Sequence, residues 1–169
     1  MAVIPLSRYQ HRNAQACPAA FARSDNLVLP FLSSAAQPST LALPLFTSKV
    51  PAGFPSPADD HLEAAIDLNR LCVQNPPATF FVRVEGHSMT GAGINDGDML
   101  VVDRSLTAKH NSIVVAVVDG EVTVKCLDLS RGAVCLRARN PDYPDLPIKE
   151  GMDLHIWGVV AHVVRSLPT

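Results

Sequence analysis

The chain has 169 residues, 47% of them hydrophobic and 18% charged, which is enough for one well-buried core and too short for two. Its formal charge of −2 is unevenly spread: residues 1–52 carry four Lys or Arg against one acid, and residues 53–169 carry 10 against 15. An acidic main domain argues against direct DNA binding, which needs clustered Lys and Arg, and no run approaches the roughly 18 uninterrupted apolar residues of a membrane span.

Cys17, Cys72, Cys126 and Cys135 form no C-x-x-C pair, and the six histidines are dispersed. Neither a metal site nor a disulfide framework is indicated, and no cofactor motif is present. Cys126 and Cys135 read as small apolar residues of a hairpin. The N-terminus lacks a basic-then-apolar signal pattern, so a reduced, cytoplasmic protein is expected.

Residues 1–52 are expected to form a flexible arm, because Pro5, Pro18, Pro30, Pro38, Pro44 and Pro51 interrupt every window in which a helix could grow. Only short apolar pieces, Asn26 to Leu32 and Leu41 to Phe46, could dock or pair as an edge strand. The arm runs into Val50-Pro51-Ala52-Gly53-Phe54-Pro55-Ser56-Pro57, an extended, polyproline-like stretch with few backbone donors. A linker is one reading. The other is a protease substrate, since a small residue followed by glycine lets the backbone lie close to a nucleophile.

Ala58 to Leu71, with acids in its first turn and Leu62, Ile66 and Leu71 near one face, predicts a short amphipathic helix. Beyond Pro76-Pro77 the period changes. Thr79 to Glu85, Met99 to Asp103, Ser112 to Val118, Glu121 to Leu127, Val134 to Ala138 and Leu154 to Val164 are short, rich in Val, Ile and Phe, and bounded by turn residues. Asp119-Gly120 predicts a two-residue hairpin and Ser130-Arg131-Gly132 a second reversal. The expected fold is mainly β: a compact, curled or barrel-like antiparallel sheet over residues 53–169, preceded by the extended arm.

After the first of those strands and running through the second comes GHSMTGAGINDGDMLVVD, Gly86 to Asp103. It sets Ser88 on a glycine-flanked turn, a candidate nucleophile that needs a base and oxyanion donors. On its own such a serine is a turn residue far more often than a nucleophile. Alternation in Glu121 to Cys126 puts Thr123 and Lys125 on one face, where Lys125 reads as an ordinary solvated lysine. As a base it must be neutral. A free lysine titrates near about 10.4, so bringing it to about 7 requires desolvation or a nearby cation worth roughly 4 kcal/mol. His87 adjoins Ser88 but points the opposite way on an extended segment, and His110, His155 and His162 have no distinguishing context.

Several of these stretches together resemble the LexA/UmuD family of self-cleaving serine peptidases, and within it the UmuD-type SOS mutagenesis proteins. The resemblance runs from about Leu43 to the C-terminus. It rests on Ala52-Gly53-Phe54-Pro55-Ser56-Pro57-Ala58, Ile66-Asp67-Leu68-Asn69, Gly86-His87-Ser88-Met89 with Gly97-Asp98, Val118 to Lys125, and Gly158 to Val164. It implies Ser88 as nucleophile, Lys125 as general base, Ala52-Gly53 as the bond cut, and the N–H groups of His87 and Ser88 as oxyanion hole. It further implies a homodimer, cleavage stimulated by a RecA filament on single-stranded DNA, and association of residues 53–169 with a UmuC-like Y-family DNA polymerase for translesion synthesis. Ala52 stands where the best-known UmuD has cysteine, although Ala-Gly is the usual bond in LexA-like relatives. The arm before Leu43 matches nothing in the family pattern.

The competing readings are a LexA-like autocleaving repressor, a signal-peptidase-like enzyme and a non-catalytic polymerase scaffold. A repressor needs a DNA-binding domain that the proline-broken arm does not offer. A signal peptidase needs a membrane anchor. A scaffold differs from the switch only in chemistry.

Overall fold

The computed structural model describes residues 40–46, 52, 62–130 and 132–168. Two units are distinguished, one within Val28–Gln74 and one within Asn75–Thr169. In the smaller unit, β1 (Leu43–Phe46) pairs antiparallel with β2 (Leu62–Ile66), Leu43 opposite Ile66. The short helix α1 (Leu68–Cys72) follows, started by Asp67, whose carboxylate accepts the Asn69 N–H at 2.9 Å.

The helix expected over Ala58 to Leu71 is therefore corrected. Its middle, Leu62–Ile66, is a strand, and helix begins only after the Asp67 cap. Spacing of apolar residues suits either period over so short a stretch, and pairing with Leu43–Phe46 decides for the strand. That pairing is the edge-strand role foreseen for Leu41 to Phe46. Residues 1–39, including Asn26 to Leu32, lie outside the described residues, as does nearly all of the proline-rich stretch.

The larger unit holds a seven-stranded, wholly antiparallel sheet. Its strands are β3 (Thr79–Arg83), β4 (Met99–Asp103), β5 (Ile113–Val118), β6 (Glu121–Asp128), β7 (Cys135–Arg137), β8 (Leu146–Pro147) and β9 (Leu154–Val164), in the order β3-β4-β9-β5-β6-β7-β8. The mainly β, antiparallel expectation holds, and all six foreseen strands of this region form. The sheet is curled but not closed, with β3 and β8 at its ends.

Strand β9 produces the curl. Its first half pairs with β5 and its second half with β4, Val159 lying opposite both Val114 and Asp103. Bulges at Val115/Ala116 and Val101/Val102 let it turn between the two partners. Consequently β5 is covered on both faces, which is why its sequence, IVVAVV, is apolar without alternation. Val114, Ala116 and Val118 pack with Leu127, Leu136 and Leu154. Val115 packs instead with Val84, Met89, Ile94, Leu100, Val102 and Cys126. The hairpin at Asp119-Gly120 has φ of 50° and 90°, as a type I′ turn requires, and places Val118 opposite Glu121.

Candidate active site

The turn after β3 is pinned by two buried side chains. Met89 (2% exposed) and Ile94 (0%) enter the same core cluster, so the intervening glycines form a loop with fixed ends. Gly86 has φ of +91°, a conformation that strains any other residue, and its N–H is held by the Asp96 carboxylate at 2.7 Å. Gly91 meets the chain beyond β7: its N–H donates to the Arg139 carbonyl at 2.6 Å, and a Cβ there would run into that oxygen.

Ser88 lies between these glycines, and its hydroxyl is 2.9 Å from the Lys125 amine. The two residues are 37 positions apart in sequence. Lys125 occupies the middle of β6, opposite Val114. Its Nζ also donates to Thr123 Oγ1 and to the Val124 carbonyl, both at 3.1 Å. All three protons of an ammonium thus have acceptors. The group is half-buried, and burial pushes the amine below its ordinary value.

Alternation could supply neither the reach of this lysine to Ser88 nor its desolvation. Thr123, two residues earlier on the same face, was also passed over as a partner; its spacing in a strand is the signal that could have found it. Of the three acceptors, the Val124 carbonyl can only accept. The two hydroxyls can also donate. A neutral Lys125 can therefore keep one proton on Val124 and turn its lone pair toward Ser88.

The His87 side chain is exposed, and it is the backbone of His87 and Ser88 that is held. Asn140 Nδ2 donates to the His87 carbonyl at 2.9 Å, and the Arg139 N–H donates to the Ser88 carbonyl at 2.8 Å. Among the described residues, no acceptor takes the N–H of His87 or of Ser88. The Arg139 side chain reaches the other half of the site, its guanidinium lying 2.9 Å from Cys126 Sγ and 3.1 Å from Asn111 Oδ1. Neither Arg139 nor Asn140 was singled out in the sequence, where Asn140-Pro141 signals a turn and nothing more. A shallow groove lined by Gly91, Arg139, Asn140 and Tyr143 runs alongside.

Of the expected cleavage bond, Ala52 is exposed and Gly53 lies outside the described residues. His110 lies 3.2 Å from Asp128, and His155 and His162 sit on β9. Among the described residues, no helix is long and apolar enough to cross a membrane.

The family described as Peptidase S24-like matches residues 44–161. Protein MucA of Salmonella typhimurium is 48% identical over 128 residues, covering 75% of this chain and 87% of that protein. Protein SamA of Salmonella typhimurium strain LT2 is 46% identical over 133 residues, covering 77% of this chain and 92% of its own. The LexA repressor of Paracidovorax citrulli is 37% identical over 128 residues, which span 76% of this chain but 56% of the repressor. The chain belongs to the S24-like peptidase family, as a UmuD-type member of the LexA/UmuD group that its motifs resemble.

Proposed function

We propose that this chain is an accessory protein of SOS mutagenesis that cuts its own Ala52-Gly53 bond with a Ser88-Lys125 dyad. The observation that carries the reading is the 2.9 Å contact between the Ser88 hydroxyl and a half-buried lysine whose charged form is disfavoured. A lysine kept partly out of water gives up its charge more readily than a free one, and only a neutral amine can take the serine proton.

In the proposed reaction, Lys125 Nζ removes the Ser88 hydroxyl proton as Oγ attacks the Ala52 carbonyl carbon. The resulting oxyanion is met by the N–H groups of His87 and Ser88. Collapse breaks the bond to Gly53, whose nitrogen leaves with the proton held by Lys125. Water, deprotonated by the same amine, then hydrolyses the ester between Ala52 and Ser88. Residues 1–52 and 53–169 are the products. Small residues on both sides of the bond suit this, since Ala52 and Gly53 offer little obstruction to a backbone approaching the serine.

A RecA filament on single-stranded DNA is the proposed stimulus. It acts by binding the cleavable arrangement more tightly than the uncleavable one, because a ligand shifts an equilibrium only through such a difference. Residues 53–169, as a homodimer, are proposed to join a UmuC-like Y-family polymerase. The coverage of MucA and SamA, against the 56% of the LexA repressor, favours this reading over a repressor.

Intact-mass spectrometry tests the proposal, after incubation with RecA, single-stranded DNA and a nucleoside triphosphate, and again without RecA at alkaline pH. Fragments 1–52 and 53–169 are expected in both, faster as pH rises, and absent in Ser88→Ala and Lys125→Ala. Cleavage persisting in Ser88→Ala would remove the serine from the mechanism, and a rate independent of pH would remove the lysine as base.

A further inference from the structure

We infer that Asn140 is a positioning residue that aims the oxyanion-binding N–H of Ser88. The inference deepens the self-cleavage reading and rests on it. The peptide unit joining His87 to Ser88 is planar and trans, so its C=O and its N–H point in opposite directions. Whatever grips the His87 carbonyl therefore sets the direction of the Ser88 N–H. Asn140 Nδ2 grips it at 2.9 Å, reaching across 53 positions of sequence, while the Thr90 N–H within the turn reaches the same oxygen at a longer 3.4 Å.

The next peptide unit is gripped as well. Its carbonyl, that of Ser88, accepts the Arg139 N–H at 2.8 Å. Two successive peptide planes around the Ser88 Cα are thus fixed by two successive residues just beyond β7. The same segment is fastened to the turn a third time, through the Gly91 N–H on the Arg139 carbonyl at 2.6 Å. Of these three bonds, two use backbone groups that any sequence provides, as does the longer contact from the Thr90 N–H to the His87 carbonyl. Only the bond from Asn140 depends on a side chain.

That side chain has one usable orientation. Its Oδ1 accepts the Asp142 N–H at 3.1 Å, which leaves Nδ2 to face the His87 carbonyl. An aspartate in its place would keep the acceptor for Asp142 and set an oxygen against the His87 carbonyl. The loop is retained, while the peptide unit carrying the Ser88 N–H is driven to rotate. An oxyanion donor works only when it already points at the developing charge, and losing one costs about 100-fold to 1,000-fold in rate. Misaiming one is expected to slow cleavage by about 10-fold or more.

The test measures first-order self-cleavage of the full chain without RecA against pH, for wild type, Asn140→Asp and Asn140→Ala, with thermal unfolding of each. Fluorophosphonate labelling of Ser88 runs in parallel, because the phosphoryl oxygen uses the same N–H groups without needing the Ala52-Gly53 bond. The expected result is a lowered alkaline plateau and slowed labelling in both variants, with the pH midpoint of Asn140→Ala and both unfolding temperatures unchanged. Wild-type plateau rates in either variant overturn the inference, as does a deficit in Asn140→Ala that vanishes at high pH, which would mean an effect on Lys125. If a variant unfolds early, its labelling rate well below its unfolding temperature decides instead. Absence of wild-type cleavage sinks the self-cleavage reading, and labelling still decides on Asn140.

Discussion

Lys125 combines two opposed requirements. Its ammonium has three acceptors, Ser88 Oγ, Thr123 Oγ1 and the Val124 carbonyl, yet burial outweighs them and lowers its pKa. The sign of the consequence for stability follows from proton binding. Between the lowered folded value and the unfolded value of about 10.4, the unfolded chain holds more protons, so stability rises with pH across that window. Below the window the charged, half-buried amine is a standing cost. In a Ser88→Ala background, chosen to exclude the proposed self-cleavage, Lys125→Met is expected to remove this rise. The check is the difference in unfolding temperature between the two proteins from neutral pH to pH about 10.4, and parallel curves would contradict it. Nothing in the residue types of β6 announced such a lysine. Alternation put Thr123 and Lys125 on one face, but the depth of that face depends on the turn carrying Ser88, which arrives from a different strand pair.

At the scale of elements, the site is a junction of the turn after β3, the middle of β6 and the segment leaving β7. Gly91 makes the closest approach in that junction, and Gly91→Ala sets a methyl group against the Arg139 carbonyl. Overpacking of this kind costs about 1–3 kcal/mol. Because the displaced carbonyl belongs to the segment that holds His87 and Ser88, the proposed self-cleavage should slow more than that loss of stability explains. Rates measured well below the unfolding transition, alongside denaturant midpoints, check this. The strands meeting here were legible in the sequence because β-branched runs ended in Gly, Asp or Asn, and Asp119-Gly120 marked its hairpin directly. The approach of Arg139 and Asn140 to Ser88 was not legible, since it depends on the curl of the sheet, and bulges at Val101/Val102 and Val115/Ala116 leave no residue signature. Leu62–Ile66 was misread for a related reason: its partner Leu43–Phe46 lies across the proline-rich stretch, and a strand's partner is invisible to local periodicity.

At the scale of the larger unit, the segment after β9 closes over the loop that follows Ser88. Arg165, just past β9, donates from Nε and Nη2 to both oxygens of Asp98, at 2.7 and 2.6 Å, and from Nη2 to the Gly93 carbonyl at 2.8 Å. Asp98 is nearly buried, 3% exposed, and also accepts the Asn95 N–H at 2.7 Å. The backbone of Asp98 is paired with Val84, and Arg83 reaches the Gly97 carbonyl at 3.0 Å. The loop from Gly93 to Asp98 is therefore fixed from β3 on one side and from the C-terminal segment on the other. The Arg165 hydrogen bonds, then the Asn95 N–H, hold the Asp98 carboxyl down at about 2, against the opposing effect of burial. A depressed carboxylate contributes stability above its unfolded value near about 3.9. That contribution is lost as pH falls from there through about 2. Asp98→Asn should consequently unfold at lower temperature at neutral pH and show a shallower fall below pH about 4, because the group whose protonation drives part of that fall is gone. Arg165→Met should share the neutral-pH loss, since it leaves Asp98 without its paired charge. It should also show a shallower acid fall than wild type, because the remaining carboxyl, nearly buried and without its cation, takes up a proton in the folded state at a pH closer to or above the unfolded value, which narrows or reverses the window in which acid destabilises. Unfolding temperatures of the three proteins across pH, in the Ser88→Ala background, test the lock directly. Coincident curves for wild type and Asp98→Asn would mean that the loop behind Ser88 is held by its backbone bonds alone.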